Sequence, residues 1–271
     1  MTDPNKSRHT LVTIIADYGG LHDLAFAEVR ERLYAELNDG SFLVETVAVP
    51  AFDTMATGFV TAQIGLNSPL GARHKLYVNT APRKDDPNPR ARNAGEGLAY
   101  AKLPNGVEIV AVNSGYSLSF VRDAAEMLRG LRVSAEGSQF RSRDVFPPAF
   151  ARVARGDYAD MGDDIRASVP DVPPARVCYT DGYGNMKTTL DRAALAPHQG
   201  QDVLVSVNGH TLRARVADGI FAVRDGEFCV SPGSSGWNGR PLTEIVCRGG
   251  NAAAAFGNPS GGAVIEWRPA S

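Results

Sequence analysis

The sequence predicts a two-domain α/β protein, in which a layered α/β domain is followed by a smaller β-rich domain. The first observation behind this prediction is the alternation of apolar strand-like runs and helical patterns over residues 11–79. That alternation is typical of a layered sheet with mostly parallel strands. The second is a change after residue 185, where short strands and turns replace the helical pattern. We place the domains at residues 1–170 and 171–271.

The first domain is predicted from the period of its apolar residues. Residues 11–16 (LVTIIA) form a β-branched apolar run, typical of a buried strand. Residues 23–37 carry apolar side chains at helical spacing and end at Asn38-Asp39-Gly40, a helix-stop signal. The same criteria predict strands at 43–49, 75–79, 98–103 and 108–112, and helices at 55–65, 119–131 and 146–155.

The second domain is predicted from hairpin and turn signals. Residues 203–207 and 211–216 flank Asn208-Gly209, a dipeptide strongly favoured in two-residue hairpin turns. Further segments are predicted as strands at 220–223, 228–230, 242–246 and 263–267, and as one helical turn at 252–256. Residues 156–176, rich in Asp and Pro, are predicted to be a linker, and residues 81–97 an exposed loop.

Composition excludes several classes of protein. The formal net charge of −2 argues against general nucleic-acid binding, which needs a basic surface, although a local basic patch stays open. No apolar run reaches the roughly 18 residues of a membrane span, and the first ten residues lack the apolar region of a signal peptide. The three cysteines and five histidines are dispersed. We therefore expect a cytoplasmic protein without a metal site.

Two short runs carry candidate ligand-binding residues, each after a strand-like segment. They are residues 16–19 (ADYG) and 181–185 (DGYGN). Strand ends are where ligands bind in α/β proteins. The second run combines a carboxylate, an aromatic ring and a carboxamide, which together suit an ammonium or hydroxyl group, a flat surface and a carboxylate. This combination predicts a small ligand of the amino-acid or nucleoside class.

Each candidate residue also has an ordinary structural explanation. Asp17 is placed to cap the helix that follows it. Asp181 and Asn185 are typical of an Asx turn, and the ring of Tyr183 suits a core position. A serine at position 142 suits a strand end that caps the helix beginning near residue 146.

Five runs, in order along the chain, look like the motifs of one enzyme family: residues 16–19 (ADYG), 113–115 (NSG), 140–146 (FRSRDVF), 181–185 (DGYGN) and 249–253 (GGNAA). The chain thereby resembles the S-adenosylmethionine hydroxide adenosyltransferases, a family that includes the fluorinase and chlorinase enzymes. There the runs read Thr-Asp-Phe-Gly, Asn-Gly, Phe-His-Gly-Arg-Asp-x-Phe, Asp-x-Phe-Gly-Asn and Gly-Asn-Ala-Ala. The resemblance extends over nearly the whole chain.

The resemblance implies both a fold and a reaction. The fold is an α/β domain followed by a small β-barrel domain, in a homotrimer whose ligand lies between the N-terminal domain of one subunit and the C-terminal domain of the next. The reaction is attack by hydroxide or halide on the ribose 5′ carbon of S-adenosylmethionine, which releases methionine. S-adenosylmethionine is then the substrate, and no cofactor is needed. Because the leaving group is already a sulfonium, catalysis needs in-line positioning and a desolvated nucleophile.

The resemblance also implies the substrate-binding residues. Asp17 would accept hydrogen bonds from both ribose hydroxyls, which suits a carboxylate. Asp181 and Asn185 would hold the methionine ammonium and carboxylate. The other substrate-binding candidates are the ring of Tyr183, Thr80 near the position of a fluorinase threonine, and three residues where the adenine loops of the family lie: Arg240, Arg248 and Gly249.

The candidate catalytic residues, Asn79, Arg141 and Ser142, depart from the family pattern. Ser142 falls where hydroxide-using members have Gly and where the fluorinase has a Ser that helps to hold the halide. Arg141 replaces the His of the Phe-His-Gly-Arg-Asp run, and Asn79 replaces the Asp that ends the third strand. Neither replacement is a base near neutral pH.

These observations predict cleavage of S-adenosylmethionine at the 5′ carbon, by water to give adenosine and methionine or by a small anion. Three alternatives stay open. The altered Asp and His positions favour a binding protein that holds S-adenosylmethionine or a nucleoside without catalysis. Ser142 favours a 5′-halogenase. The loop at 81–97 favours transfer to another acceptor.

Overall fold

The computed structural model describes residues 9–81, 97–134 and 138–270, in two units, Met1–Pro170 and Asp171–Ser271. The loop predicted at 81–97 therefore lies, apart from its two end residues, outside the described residues. Each unit contains one seven-stranded sheet within the described ranges. The protein is thus a mixed α/β structure.

The first unit is a sheet with helices packed on it. Its described strands, β1 to β7, are Thr10–Ala16, Phe42–Ala48, His74–Asn79, Leu98–Lys102, Glu108–Val112, Met127–Leu131 and Met161–Asp164. Its described helices, α1 to α5, are Leu24–Leu37, Thr54–Leu66, Ser119–Arg122, Arg141–Asp144 and Phe146–Ala154. The spatial order of the strands is β2-β1-β3-β5-β4-β6-β7.

This sheet is mixed, whereas the sequence predicted mostly parallel strands. Strands β2, β1, β3 and β5 are parallel neighbours. Strand β4 pairs antiparallel with β5 and with β6, and β7 pairs antiparallel with β6. The reason is the short turn between β4 and β5, closed by a hydrogen bond from the Leu103 N–H to the Val107 carbonyl at 2.9 Å. A turn of this length can join only antiparallel neighbours.

Two predicted segments of this unit are wrong. The helix predicted at 119–131 is instead the short α3 followed by β6, because residues 127–131 pair with β4 in the register Leu98↔Leu131. The linker predicted at 156–176 contains β7, which pairs with β6. In both cases pairing with a distant strand outweighs the local helical or linker pattern.

Helix α1 shows why the local patterns succeed elsewhere. Asp23 caps its N-terminus, where the carboxylate accepts from the Ala25 N–H at 2.9 Å. Its apolar stripe is buried: Phe26, Val29, Leu33 and Leu37. This stripe packs into the same core cluster as β1 and α5, and so holds the carboxyl end of β1 in place.

The second unit is a curled sheet with small helical turns. Its described strands, β8 to β14, are Val177–Thr180, Met186–Thr188, Asp202–Val207, His210–Val216, Phe228–Trp237, Arg240–Cys247 and Ile265–Pro269, and its described helices, α6 and α7, are Arg192–Leu195 and Ala252–Ala255. The strand order is β14-β10-β11-β12-β13-β9-β8. The predicted Asn-Gly hairpin is confirmed as β10 and β11. The strand predicted at 220–223 is wrong, because Ile220–Ala222 forms a 3₁₀ turn.

The curl brings the two edges of this sheet toward each other. Arg176, just before β8, bridges to Val264, just before β14. The Val177 N–H donates to the Ala263 carbonyl at 3.0 Å, and the Ile265 N–H to that of Ala175 at 2.9 Å. The second sheet is accordingly a half-barrel around its own core.

Among the described residues, no helix combines the length and the apolar character that crossing a bilayer requires.

Candidate functional site

The carboxyl ends of four parallel strands carry polar residues in the first unit. Asp17 follows β1, Asp53 lies beyond β2, Asn79 ends β3, and Ser114 follows β5. In the register, Ala16 lies opposite both Ala48 and Asn79, so these ends are level. Ligands bind at such an edge in α/β sheets. We therefore take this edge as the candidate site of the first unit.

Asp17 is buried at this edge, with 8% of its surface exposed. Its Oδ2 accepts from the Phe52 N–H at 2.9 Å, and both of its oxygens lie 3.1 Å from the Ala81 nitrogen, which donates to them. It does not cap α1, because Asp23 does. The carboxylate instead joins the ends of three strands, which is the arrangement expected of a pre-organised acceptor.

Phe52 holds an uncommon backbone conformation where it contacts Asp17. Its φ angle is +62°, in the left-handed region that an aromatic residue rarely adopts. The next residue, Asp53, caps α2 by accepting from the Ala56 N–H at 2.8 Å. Such backbone strain is concentrated at functional sites, and here it directs an N–H group at the Asp17 carboxylate.

Thr80 lies fully buried beside Asn79. Its hydroxyl is 2.6 Å from that of Thr57, which donates to the Asp53 carbonyl at 2.8 Å. Since each hydroxyl carries one proton, Thr80 must donate to Thr57. Thr80 thus keeps acceptor capacity only, and its substrate-binding role stays a prediction.

Asn79 and Arg141 each have backbone or side-chain contacts within the first unit. The carbonyl of Asn79 accepts from the Asp17 N–H at 3.3 Å. Nη2 of Arg141 donates to the Ser134 carbonyl at 2.9 Å, and its guanidinium carbon lies 5.2 Å from the centre of the Phe146 ring. The side chain of Arg141 is thus held by residues close to it in sequence. The catalytic roles of Asn79 and Arg141 stay predictions.

Ser142 is buried inside the short helix α4, with 5% exposed, and not at a strand end. No side chain caps α5, so the capping role considered for Ser142 is not observed. The Tyr77 hydroxyl donates to the Ser142 carbonyl at 2.5 Å. The Ser142 side chain lies beside the phenol of Tyr18 and acts on its pKa. Two tyrosines therefore meet at this serine.

Tyr18 is a residue that sequence reasoning missed. Its ring lies 5.1 Å from that of Phe26 and 5.8 Å from that of Phe140. Burial raises the pKa of its phenol, the Ser142 side chain lowers it in part, and the Asp17 charge raises it further. The phenol oxygen is buried without a hydrogen-bond partner of good geometry among the described atoms. Tyr18 is therefore a protonated phenol beside Asp17 and the Ser142 side chain, without a hydrogen bond of good geometry among the described atoms.

The run 181–185 of the second unit forms an Asx-type turn between β8 and β9. Oδ1 of Asp181 accepts from the N–H groups of Tyr183 at 2.9 Å and Asn185 at 3.0 Å. Oδ2 accepts from Nδ2 of Asn185 at 3.1 Å. The ring of Tyr183 is 81% exposed, so it is not a core residue. The ordinary structural explanation thus holds for Asp181 but not for Tyr183.

A buried ion cluster, also missed by sequence reasoning, lies next to this turn. Nζ of Lys187 donates to Oδ2 of Asp181 at 2.9 Å and to Oε2 of Glu244 at 2.7 Å. Lys187 and Glu244 are 4% and 5% exposed. Burial would raise the pKa of Asp181, but hydrogen bonds from Lys187 and Asn185 outweigh it, and the pKa lies below its ordinary value. The only sequence signal was a charged residue, Glu244, within the predicted strand at 242–246.

The turn 181–185 also contacts the predicted run 249–253. Gly184 has φ +82°, and a Cβ atom there would lie 2.0 Å from Oδ1 of Asn251. Asn251 caps α7, and the Ala253 N–H donates to the Gly184 carbonyl at 2.9 Å. Two runs that are far apart in sequence are therefore packed together in this unit.

The remaining candidates divide between two places. Nη1 of Arg248 donates to the Val223 carbonyl at 2.7 Å, and its guanidinium carbon lies 5.3 Å from the centre of the Phe221 ring. Gly249 has φ +69°, and a Cβ there would lie 1.9 Å from Oδ1 of Asp225. Arg240 is exposed at the start of β13. The structure thus brings Arg248 and Gly249 to the loop 221–225 and leaves Arg240 at the opposite end of β13.

Within the described ranges, no three His, Cys, Asp or Glu side chains are arranged to hold a metal ion.

Comparisons with known proteins relate the chain to solved structures. No protein-family model matches the sequence, and no curated protein matches it significantly. An uncharacterized conserved protein from Thermotoga maritima is similar, with a TM-score of 0.71 and 19% identity over 94% of this chain and 99% of that one. A conserved hypothetical protein from Thermus thermophilus has a TM-score of 0.65 and 21% identity, over 96% and 100% of the two chains. At these identities the likeness shows the fold alone.

Proposed function

We propose that the protein cleaves S-adenosylmethionine at the ribose 5′ carbon. A water molecule or a small anion forms the new bond to this carbon while the carbon–sulfur bond breaks. Sulfur leaves with the bonding electron pair as the neutral thioether of methionine, and an attacking water loses its proton to solvent. The protein has to hold the carbon in line and exclude bulk water from the nucleophile.

The observation that carries this proposal is the Asp17 carboxylate. It is buried at the carboxyl edge of the parallel strands, and the backbone N–H groups of Phe52 and Ala81 hold it in place. An acceptor fixed in this way suits a pair of ribose hydroxyls without reorganisation. Its position after β1 agrees with the resemblance of residues 16–19 to Thr-Asp-Phe-Gly.

The nucleophile is assigned to the Ser142 neighbourhood. Tyr18 presents a buried phenol without a hydrogen-bond partner of good geometry among the described atoms, and the Ser142 side chain lies beside it. Buried donors normally have a partner, often a water or an ion. A water or halide between these hydroxyls would satisfy the phenol without needing a base at Asn79 or Arg141.

The turn after β8 is proposed to bind the methionine end of the ligand. Asn185 and Tyr183 offer an amide and an exposed ring on the turn after β8. The resemblance further implies a β-barrel for the second unit, and a homotrimer in which it adjoins a neighbouring subunit. We extend both expectations to this protein, together with a cytoplasmic location.

A second candidate function is binding of a nucleoside without catalysis. The specific observation in its favour is Arg141, which replaces a histidine and whose side chain contacts Ser134 and Phe146. Such an arginine takes no proton from water. Product analysis separates the two functions.

The test is incubation of the purified full chain with S-adenosylmethionine, in buffers with and without chloride or fluoride, followed by separation of nucleosides. We expect adenosine and methionine in equal amounts, or a 5′-halo nucleoside if a halide attacks. Asp17→Asn should lower kcat/KM by at least about tenfold, since one hydrogen bond to a charged group contributes roughly 1.5–3 kcal/mol. Asp23→Asn is the matched control, because asparagine caps a helix as well as aspartate does.

The outcomes discriminate clearly. If the ligand binds and no methionine is released, the protein binds a nucleoside without catalysis, and the proposed cleavage is refuted. Equal loss of activity in the two variants would show that Asp17 has no special role. Absence of binding of any adenosine derivative would refute both functions.

A further inference from the structure

The acceptor sites of Asp181 are filled by the protein itself. A carboxylate offers about four lone-pair sites. Oδ1 takes the N–H groups of Tyr183 and Asn185, and Oδ2 takes Nδ2 of Asn185 and Nζ of Lys187, at 2.9 to 3.1 Å. A ligand ammonium could therefore reach this carboxylate only by displacing one of these donors.

Displacement of Lys187 is strongly unfavourable. The lysine is 4% exposed, and its ammonium is shared between Asp181 and Glu244. If a ligand amine took its place on Asp181, the lysine would remain buried with one carboxylate instead of two. Removing a partner from a buried charge is among the most destabilising changes in a protein interior.

Glu244 does not supply a replacement carboxylate. The cluster has one surplus negative charge, because two carboxylates face one ammonium. Oε1 of Glu244, however, accepts from the Ser235 N–H at 3.4 Å, and a Cβ at Gly233 would lie 1.9 Å from it. The backbone of β12 thus covers this oxygen, and Glu244 is only 5% exposed.

The groups that the turn still presents are neutral. The Asn185 amide uses one N–H on Asp181, which leaves its second N–H as a donor for a carboxylate. The ring of Tyr183 is 81% exposed and offers a flat apolar surface. These two groups can bind the carboxylate and the apolar chain of a ligand. They offer no negative charge to a ligand amine.

We propose that Lys187 determines ligand specificity by occupying the place of the ligand ammonium on Asp181. The substrate class is accordingly any adenosine whose 5′ sulfur is a sulfonium that carries an aliphatic carboxylate, with or without an α-amino group, and the corresponding thioethers are ligands of the same site. This inference rests on the proposed function, because it concerns the ligand end opposite the ribose.

The test compares two thioethers that differ only in the amino group. They are S-adenosylhomocysteine and its desamino analogue, 5′-S-(3-carboxypropyl)-5′-thioadenosine, and their Kd values are measured by calorimetry with the full chain. We expect the two Kd values of the wild type to agree within about threefold. In Lys187→Met, Oδ2 of Asp181 becomes available, and S-adenosylhomocysteine should bind at least tenfold more tightly than the analogue.

Lys75→Met is the matched control. Lys75 is a partly buried lysine, with 11% of its side chain exposed, that also pairs with a carboxylate, Glu108, but it lies in β3 of the first unit. Its removal should destabilise the protein and leave the ratio of the two Kd values unchanged. If Lys187→Met does not fold, the wild-type ratio alone decides.

Preference of the wild type for the amine of tenfold or more would overturn the inference and leave the proposed function standing. An unchanged ratio in folded Lys187→Met would overturn it as well. If neither thioether binds, the inference is refuted. Binding of adenosine is then measured, and its absence would refute the proposed function as well.

Discussion

Replacing Tyr18 by phenylalanine should stabilise the ligand-free protein while weakening its function. The phenol oxygen is buried and has no partner of good geometry among the described atoms. A buried polar group without a partner costs about 1–3 kcal/mol. Tyr18→Phe removes the oxygen and keeps the ring against Phe26 and Phe140, so the free energy of unfolding should rise by roughly 1 kcal/mol or more.

Tyr77→Phe is the matched comparison and should act in the opposite direction. Both rings belong to the same core, but the Tyr77 hydroxyl donates to the Ser142 carbonyl at 2.5 Å. Its removal loses a hydrogen bond and leaves that carbonyl unsatisfied, at a cost of about 1–3 kcal/mol. The two phenylalanine variants should therefore differ by about 2–4 kcal/mol in stability.

Urea unfolding of both variants measures this difference, provided that the slope of free energy against urea is unchanged. The release of methionine is measured in parallel, and Tyr18→Phe should lower kcat because the donor for the nucleophile is lost. If Tyr18→Phe instead destabilises the protein by about 1 kcal/mol or more, the phenol has a partner in the free protein and the assignment of the nucleophile to it is refuted.

Two predictions concern the turn after β8. Gly184→Ala should destabilise the protein by at least about 2 kcal/mol in thermal unfolding, because a left-handed residue with a side chain costs roughly 1–2 kcal/mol and its Cβ would meet Asn251. Gly182→Ala is the control and should have little effect, because the space around Gly182 is open. Equal destabilisation by the two substitutions would refute the clash with Asn251. The pKa of folded Asp181 lies below the ordinary 3.8, so its stabilising contribution is full above about pH 4 and is lost as the pH falls through the folded pKa. Asp181→Asn should remove that part of the acid dependence of unfolding, and an unchanged acid profile would contradict the role of Lys187.

The local pattern predicted most of the first unit. The strands at residues 11–16 and 43–49 and the helix at 23–37 lie within one or two residues of β1, β2 and α1. Periodicity works there because these elements bury one face or are wholly buried. It failed at β6, which is defined by pairing with β4 rather than by its own residues.

The candidate site was predicted in part. Asp17 and Asp181 could be selected because an acidic residue stood at the end of a predicted strand. Tyr18 and Lys187 could not, because a phenol without a partner of good geometry among the described atoms and a shared ammonium are properties of what surrounds them. Nothing local distinguishes such residues from ordinary core or surface side chains.

The sequence by itself determined most of the strands, helices and turns, and the change of pattern from the first unit to the second. These follow from interactions within a few residues of the chain. Only the tertiary structure decided that Asp17 is held by Phe52 and Ala81, and that Asp181 is saturated by its own turn and Lys187. The physical reason is that hydrogen bonds and buried charges depend on partners brought together by long-range strand pairing.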